Sequence, residues 1–118
     1  MPKSEEDKST IRRLYKVVDA MRKVDSTLPM QTFAAFLVVA LDEGMNVSQI
    51  GERVGIAQSS ASRNVATLSD WDYTKKTGLK LVEYRTDPMN LSTKTVHLSN
   101  KGGKLVDDIL TALKGGKS

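Results

Sequence analysis

Between positions 58 and 63 the chain reads Gln-Ser-Ser-Ala-Ser-Arg, small hydrogen-bonding side chains closed by one guanidinium. Each type has a natural partner on duplex nucleic acid. A guanidinium pairs bidentately with guanine and a glutamine amide with adenine, while serine hydroxyls bond phosphate oxygens. Arg63 and Gln58 are therefore candidate base readers, with Ser59, Ser60 and Ser62 beside them. Nothing bulky or acidic in the run would hold it away from phosphates. The bland alternative is a solvated or ion-paired arginine beside serines that bond their own helix.

Other chemistries lack their residues. There is no cysteine, so disulfides, thiolate nucleophiles and cysteine-ligated metals are excluded. The one histidine, His97, stands alone between Val96 and Leu98 in a strand-like run and reads as a surface residue rather than a ligand. No Ser-His-acid set or phosphate-binding glycine loop is present, and Asp42-Glu43 and Asp107-Asp108 read as solvated helix-surface acids. The chain reads as a non-enzyme that needs no cofactor and no metal.

Charge agrees with a polyanionic partner. The net charge is +4, and all of that excess lies between Arg63 and Lys104, where eight basic residues face four acidic ones. Concentrated positive charge attracts nucleic acid and releases its counterions, although a basic face can also serve solubility alone. The first eight residues are charged and lack a secretory apolar stretch, and the longest apolar run, 33–41, is too short for a membrane span. A cytoplasmic protein is expected.

The elements that must position these residues follow from periodicity. At 118 residues the chain suits one domain, expected over 10–113, with tails at 1–9 and 114–118. Ile11, Leu14, Tyr15, Val18 and Met21 recur at helical spacing behind Ser9 or Thr10 as N-cap. A second helix is expected from Pro29 to Gly44. Its centre, 33–41, is apolar all round, so it should be enclosed, as a core helix rather than the wall of a ligand pocket.

Ser48 then caps a short helix facing inward through Ile50 and Val54, and Gly55 turns the chain into a further helix over 57–70. That last helix buries Ala57, Ala61, Val65 and Leu68 and turns Ser59, Ser62, Arg63 and Ala66 outward. Runs 79–85 and 93–98 flank the turn residues Asp87-Pro88-Met89-Asn90, predicting a β-hairpin. Ser99 caps a final helix with Leu105, Ile109 and Leu113 on one face, beside Val106 and Leu110. The fold class is mainly α with a small β-hairpin wing (α+β), in the order of a winged helix-turn-helix.

Residues 47–68, together with 78–85, Asp87-Pro88 and Val96-His97-Leu98-Ser99-Asn100-Lys101-Gly102, resemble the MarR family of bacterial winged-helix transcriptional regulators. The resemblance implies a homodimer built by the first and last helices, here through Ile11, Leu14, Tyr15, Val18, Leu105, Ile109 and Leu113. It also implies a wing touching the minor groove, and Ser48 on the helix that crosses the DNA backbone. Three departures stand out. Asn90-Leu91-Ser92 replace the arginines that the family carries past the Asp-Pro turn, leaving wing contacts to Arg85 and Lys94. A long connector, 70–78, carries Trp71, Tyr73, Lys75 and Lys76, of which the two lysines are candidate phosphate contacts; it is similar to connectors of small phage- or plasmid-borne regulators. The last helix is short.

The expected function is a sequence-specific double-stranded DNA-binding repressor on an inverted-repeat operator. The alternative is a winged-helix adaptor that binds protein in phage or plasmid replication. No residue marks an effector pocket.

Overall fold

The computed structural model describes residues 3–70 and 78–115. Its elements run α1 (Glu5–Val24), α2 (Met30–Leu41), α3 (Val47–Val54), α4 (Gln58–Leu68), β1 (Val82–Asp87), β2 (Asn90–Leu98) and α5 (Asn100–Lys114). They divide between two compact units, one over 29–103 and one formed by 1–28 with 104–118. Residues 71–77 of the connector, with Trp71, Tyr73, Lys75 and Lys76, lie outside the described residues.

In the 29–103 unit, α2 buries Thr32, Ala35, Phe36 and Val39, one stripe at three- and four-residue spacing. The helix is not enclosed, as its all-apolar sequence suggested. Met30, Leu37 and Leu41 are exposed, because burial takes one face only. The helix also stops at Leu41 rather than Gly44, where the amide of Asp42 closes it on Val38 and Val39. Gly44 takes a positive φ of 101° beyond that end, and its amide bonds the carbonyl of Val96 at 2.9 Å.

Helix α3 is capped by Asn46 rather than Ser48. Asn46 Oδ1 accepts the Gln49 amide, and Gln49 Oε1 accepts the Asn46 amide, both at 2.9 Å. This reciprocal box satisfies two otherwise orphaned donors. Gly55 then closes α3 at φ 84°, a left-handed conformation that costs glycine nothing, and α4 follows three residues later. Ala57 is the exposed N-cap of α4, while Ala61, Val65 and Leu68 form its buried stripe.

The two strands pair antiparallel, with Val82 opposite Leu98, Tyr84 opposite Val96 and Thr86 opposite Lys94. Met45 lies on the other side of β2 through an isolated antiparallel bridge to Val96. Glu43 Oε1 accepts the Leu98 amide at 2.7 Å, so the α2–α3 connection is tied to the hairpin. The first strand begins at Val82, not at 79, for a specific reason. The amides of Leu79, Lys80 and Leu81 are already spent on the Thr67, Ser69 and Leu68 carbonyls at the end of α4, at 2.8–2.9 Å. Ser99 caps α5 as expected, accepting the Gly102 amide at 3.0 Å.

In the other unit, α1 begins at Glu5, so residues 5–9, read as tail, are helical. The N-cap is Ser4 rather than Ser9 or Thr10, with a capping box to Asp7 and three acids in the first turn that suit the positive end of the helix dipole. Val17 and Met21 are buried, as are Leu105 and Ile109 of α5. Helix α5 runs through Lys114, one residue into the expected tail.

Candidate nucleic-acid interface

The α3–turn–α4 unit is held close by small residues. Gly51 on α3 faces Ala61 on α4 so tightly that a methyl on Gly51 would lie 3.1 Å from the Ala61 Cβ. Ile50 and Gly51 are buried on α3, as is Ala61 on α4. One further tie fixes the rotation of α4. Thr32 Oγ1 of α2, 2% exposed, donates to Asn64 Oδ1 at 2.7 Å. Asn64 is half-buried and adjacent to Arg63 in the chain, so this part-buried bond holds α4 to α2 next to the exposed arginine.

That outer side holds most of the expected set. Gln58, Ser59 and Arg63 are exposed, and Ser60, Ser62 and Ala66 are half-buried at its edges. Among the described residues the Arg63 side chain makes no ion pair; the five salt bridges lie elsewhere. No side chain caps the N-terminus of α4, which leaves its first amides available to an external acceptor. The stretch from Val54 to Ser69 carries no acid. Ser48 is also exposed, at the second position of α3, where its hydroxyl faces solvent rather than capping its helix.

The wing is anchored to α4 on both sides of its base. Besides the three amides already bonded to the end of α4, the carbonyls of 79–81 are all taken. Leu79 accepts Lys101 Nζ at 2.9 Å, Lys80 accepts Ser99 Oγ at 2.6 Å, and Leu81 accepts the Ser99 amide at 3.0 Å. Lys80 adopts a left-handed φ of 61° within this clamp, strain that the surrounding bonds hold in place. The wing therefore leaves α4 in a fixed direction.

On the hairpin, the expected contacts are differently placed. Arg85 Nε lies 3.3 Å from Glu83 Oε2, an exposed pair two residues apart on one strand face. Such a pair contributes little and opens readily to a phosphate. Lys94 Nζ lies 6.0 Å from the centre of the Tyr84 ring, on the opposite face. His97 is half-buried, sharing a 2.8 Å hydrogen bond with Thr95 Oγ1. Lys75 and Lys76 fall outside the described residues. Among those described, no cluster of His, Asp or Glu could hold a metal ion, and no helix is long and apolar enough to cross a membrane.

The seven residues expected at a dimer contact separate into two groups. Ile11, Leu14, Tyr15 and Val18 are 40–60% exposed, an uncovered apolar stripe on α1, and Leu113 on α5 is 46% exposed. Leu105 and Ile109 are only 6% and 5% exposed. They are already covered within their own chain. Leu110, 41% exposed, is an apolar position that the spacing argument placed only beside that face.

No protein-family model and no curated protein sequence matches the chain. Solved structures do, over nearly its whole length. The MepR–DNA complex of S. aureus superposes with a TM-score of 0.71 at 14% identity, covering 95% of this chain and 85% of MepR. The transcriptional repressor CouR bound to a 23-mer DNA duplex gives a TM-score of 0.63 at 16% identity, over 92% and 69% of the two chains. A MarR-family transcription regulator gives 0.62 at 16% identity, over 94% and 70%.

Proposed function

We propose that this chain, which has the MarR-family winged-helix fold, is a transcriptional regulator that binds double-stranded DNA with α4 in the major groove and the wing beside it. The observation that carries the reading is the outer face of α4. It presents Gln58, Ser59, Ser62 and an Arg63 that makes no ion pair among the described residues, with no acid from Val54 to Ser69. In such a helix the N-terminal amides and serine hydroxyls bond phosphates and fix the register, while Arg63 and Gln58 read base edges. Ser48 on α3 meets the backbone, and Arg85 and Lys94 supply charge from the wing. Lys75 and Lys76 are proposed phosphate contacts from the connector. The DNA carried by MepR and CouR supports the same class of partner for this chain.

We further propose that two copies associate through the uncovered stripe of Ile11, Leu14, Tyr15 and Val18, with Leu113. A two-fold dimer presents its reading helices one DNA turn apart, about 34–36 Å. The operator is then an inverted repeat, and occupancy of a promoter represses it. Selection of bound fragments from a random duplex library tests this. The expected result is an inverted repeat with half-sites about 10 base pairs apart from centre to centre. A library that stays random would overturn the reading.

A further inference from the structure

We propose that the wing tip is an apolar wedge, which inserts Met89 and Leu91 between stacked base pairs in the minor groove and kinks the duplex. This rests on the duplex-binding reading above and specifies what the wing does there. Met89 is 92% exposed and Leu91 77% exposed, with Pro88 also exposed between the strands. They touch no core, so the fold gains nothing from their apolar character. Methionine, leucine and proline are among the side chains that unstack a base step when driven into a minor groove.

The backbone presents them deliberately. The register jumps from Thr86 opposite Lys94 to Asp87 opposite Asn90, leaving Leu91, Ser92 and Thr93 between those rungs as a bulge on one strand. Bulges re-aim side chains, and this one leaves Leu91 exposed two residues from the exposed Met89. Side chains then lock the tip. Asp87 Oδ1 accepts the Met89 amide at 2.9 Å, and Asn90 Oδ1 accepts both the amide and the hydroxyl of Ser92, at 3.2 and 2.7 Å. A preorganised tip loses little entropy on insertion.

Size and charge select DNA over a protein as the occupant. A specific protein interface buries about 800 Å² on each partner, far beyond what two side chains cover. A wedge needs only one or two. Lys94 follows the bulge directly, opposite Thr86, and Arg85 stands on the neighbouring strand. Both cations would meet the phosphates flanking a groove entered by the tip. Pyrimidine–purine steps unstack most easily, so TA or CA/TG is the expected sequence at the insertion point.

The test uses the full-length chain on a duplex taken from the random-library selection, labelled at both ends for energy transfer. The wild type is expected to shorten the end-to-end distance to match a kink of roughly 20–90°. Met89→Ser/Leu91→Ser is expected to lose most of that kink, bind about ten-fold more weakly through lost apolar burial, and keep its salt dependence. Its thermal midpoint should not move, since both side chains are exposed. Binding by the wild type without bending overturns the wedge and leaves the DNA reading intact, as does a double variant that binds and bends like the wild type, the result expected of a tip that serves a protein partner. Failure of the wild type to bind any duplex overturns both readings.

Discussion

Two adjacent glycines at the start of α5 should respond in opposite directions to the same substitution. A methyl on Gly102 would overlap the Leu81 carbonyl oxygen and lie 3.0 Å from its carbon, whereas a methyl on Gly103 meets nothing within 4 Å. The Leu81 peptide cannot step aside cheaply. Its amide bonds the Leu68 carbonyl at 2.8 Å, its carbonyl accepts the Ser99 amide at 3.0 Å, and its side chain is fully buried. Overpacking of this kind costs about 1–3 kcal/mol, and losing the Ser99–Leu81 bond costs about 1–3 kcal/mol more. Alanine returns about 1 kcal/mol of helix propensity. Gly102→Ala should therefore destabilise by about 1–5 kcal/mol, which for a chain of this size lowers Tm by roughly 4–20 °C. Gly103→Ala keeps only the propensity gain and should stabilise by up to about 1 kcal/mol. Urea unfolding followed by circular dichroism, at one chain concentration for all variants, measures both. Equal stability of Gly102→Ala and wild type, or an equal loss in Gly103→Ala, would refute the steric reasoning. Because Leu81 belongs to the clamp between α4 and the wing, Gly102→Ala should also weaken DNA binding.

Two further predictions concern α4 and the proposed dimer. Thr32→Val keeps the side-chain shape but leaves Asn64 Oδ1 without its donor; a loss of about 1–2 kcal/mol in urea unfolding is expected, and no change would mean that the bond does not orient α4. Ile11→Asp/Leu14→Asp places two charges on the exposed stripe of α1. Sedimentation equilibrium should show a monomer with its helical content intact, and a persistent dimer would place the interface elsewhere.

The elements that frame the site were legible because their signals are local. Gly55 between two short periodic runs marks the turn before α4, and Ser99 followed by a broad apolar face marks the start of α5. The outer face of α4 follows from the spacing of Ala61, Val65 and Leu68 alone. What sequence reasoning missed depends on competition or on distant partners. The charged start of the chain reads as tail, yet Ser4 and Asp7 stand at capping-box spacing, a signal that could have found the true beginning of α1. Leu105 and Ile109 share a stripe with the exposed Leu113, and spacing does not say which members are covered by their own chain. Residues 79–81 have strand composition but spend their amides on α4. The bulge at Leu91 and the Glu83–Arg85 pair arise from register, which no local pattern revealed.

The most direct test of a reading face on α4 is a binding titration of wild type and Arg63→Ala on the selected duplex, with thermal midpoints measured alongside. Arg63 is exposed and makes no ion pair among the described residues, so Tm should not change. A bidentate contact to guanine is worth about 1–3 kcal/mol, and Kd should rise by about 5- to 150-fold, with discrimination relaxed at one base pair of each half-site. An unchanged Kd in a fully folded variant would contradict the proposed interface.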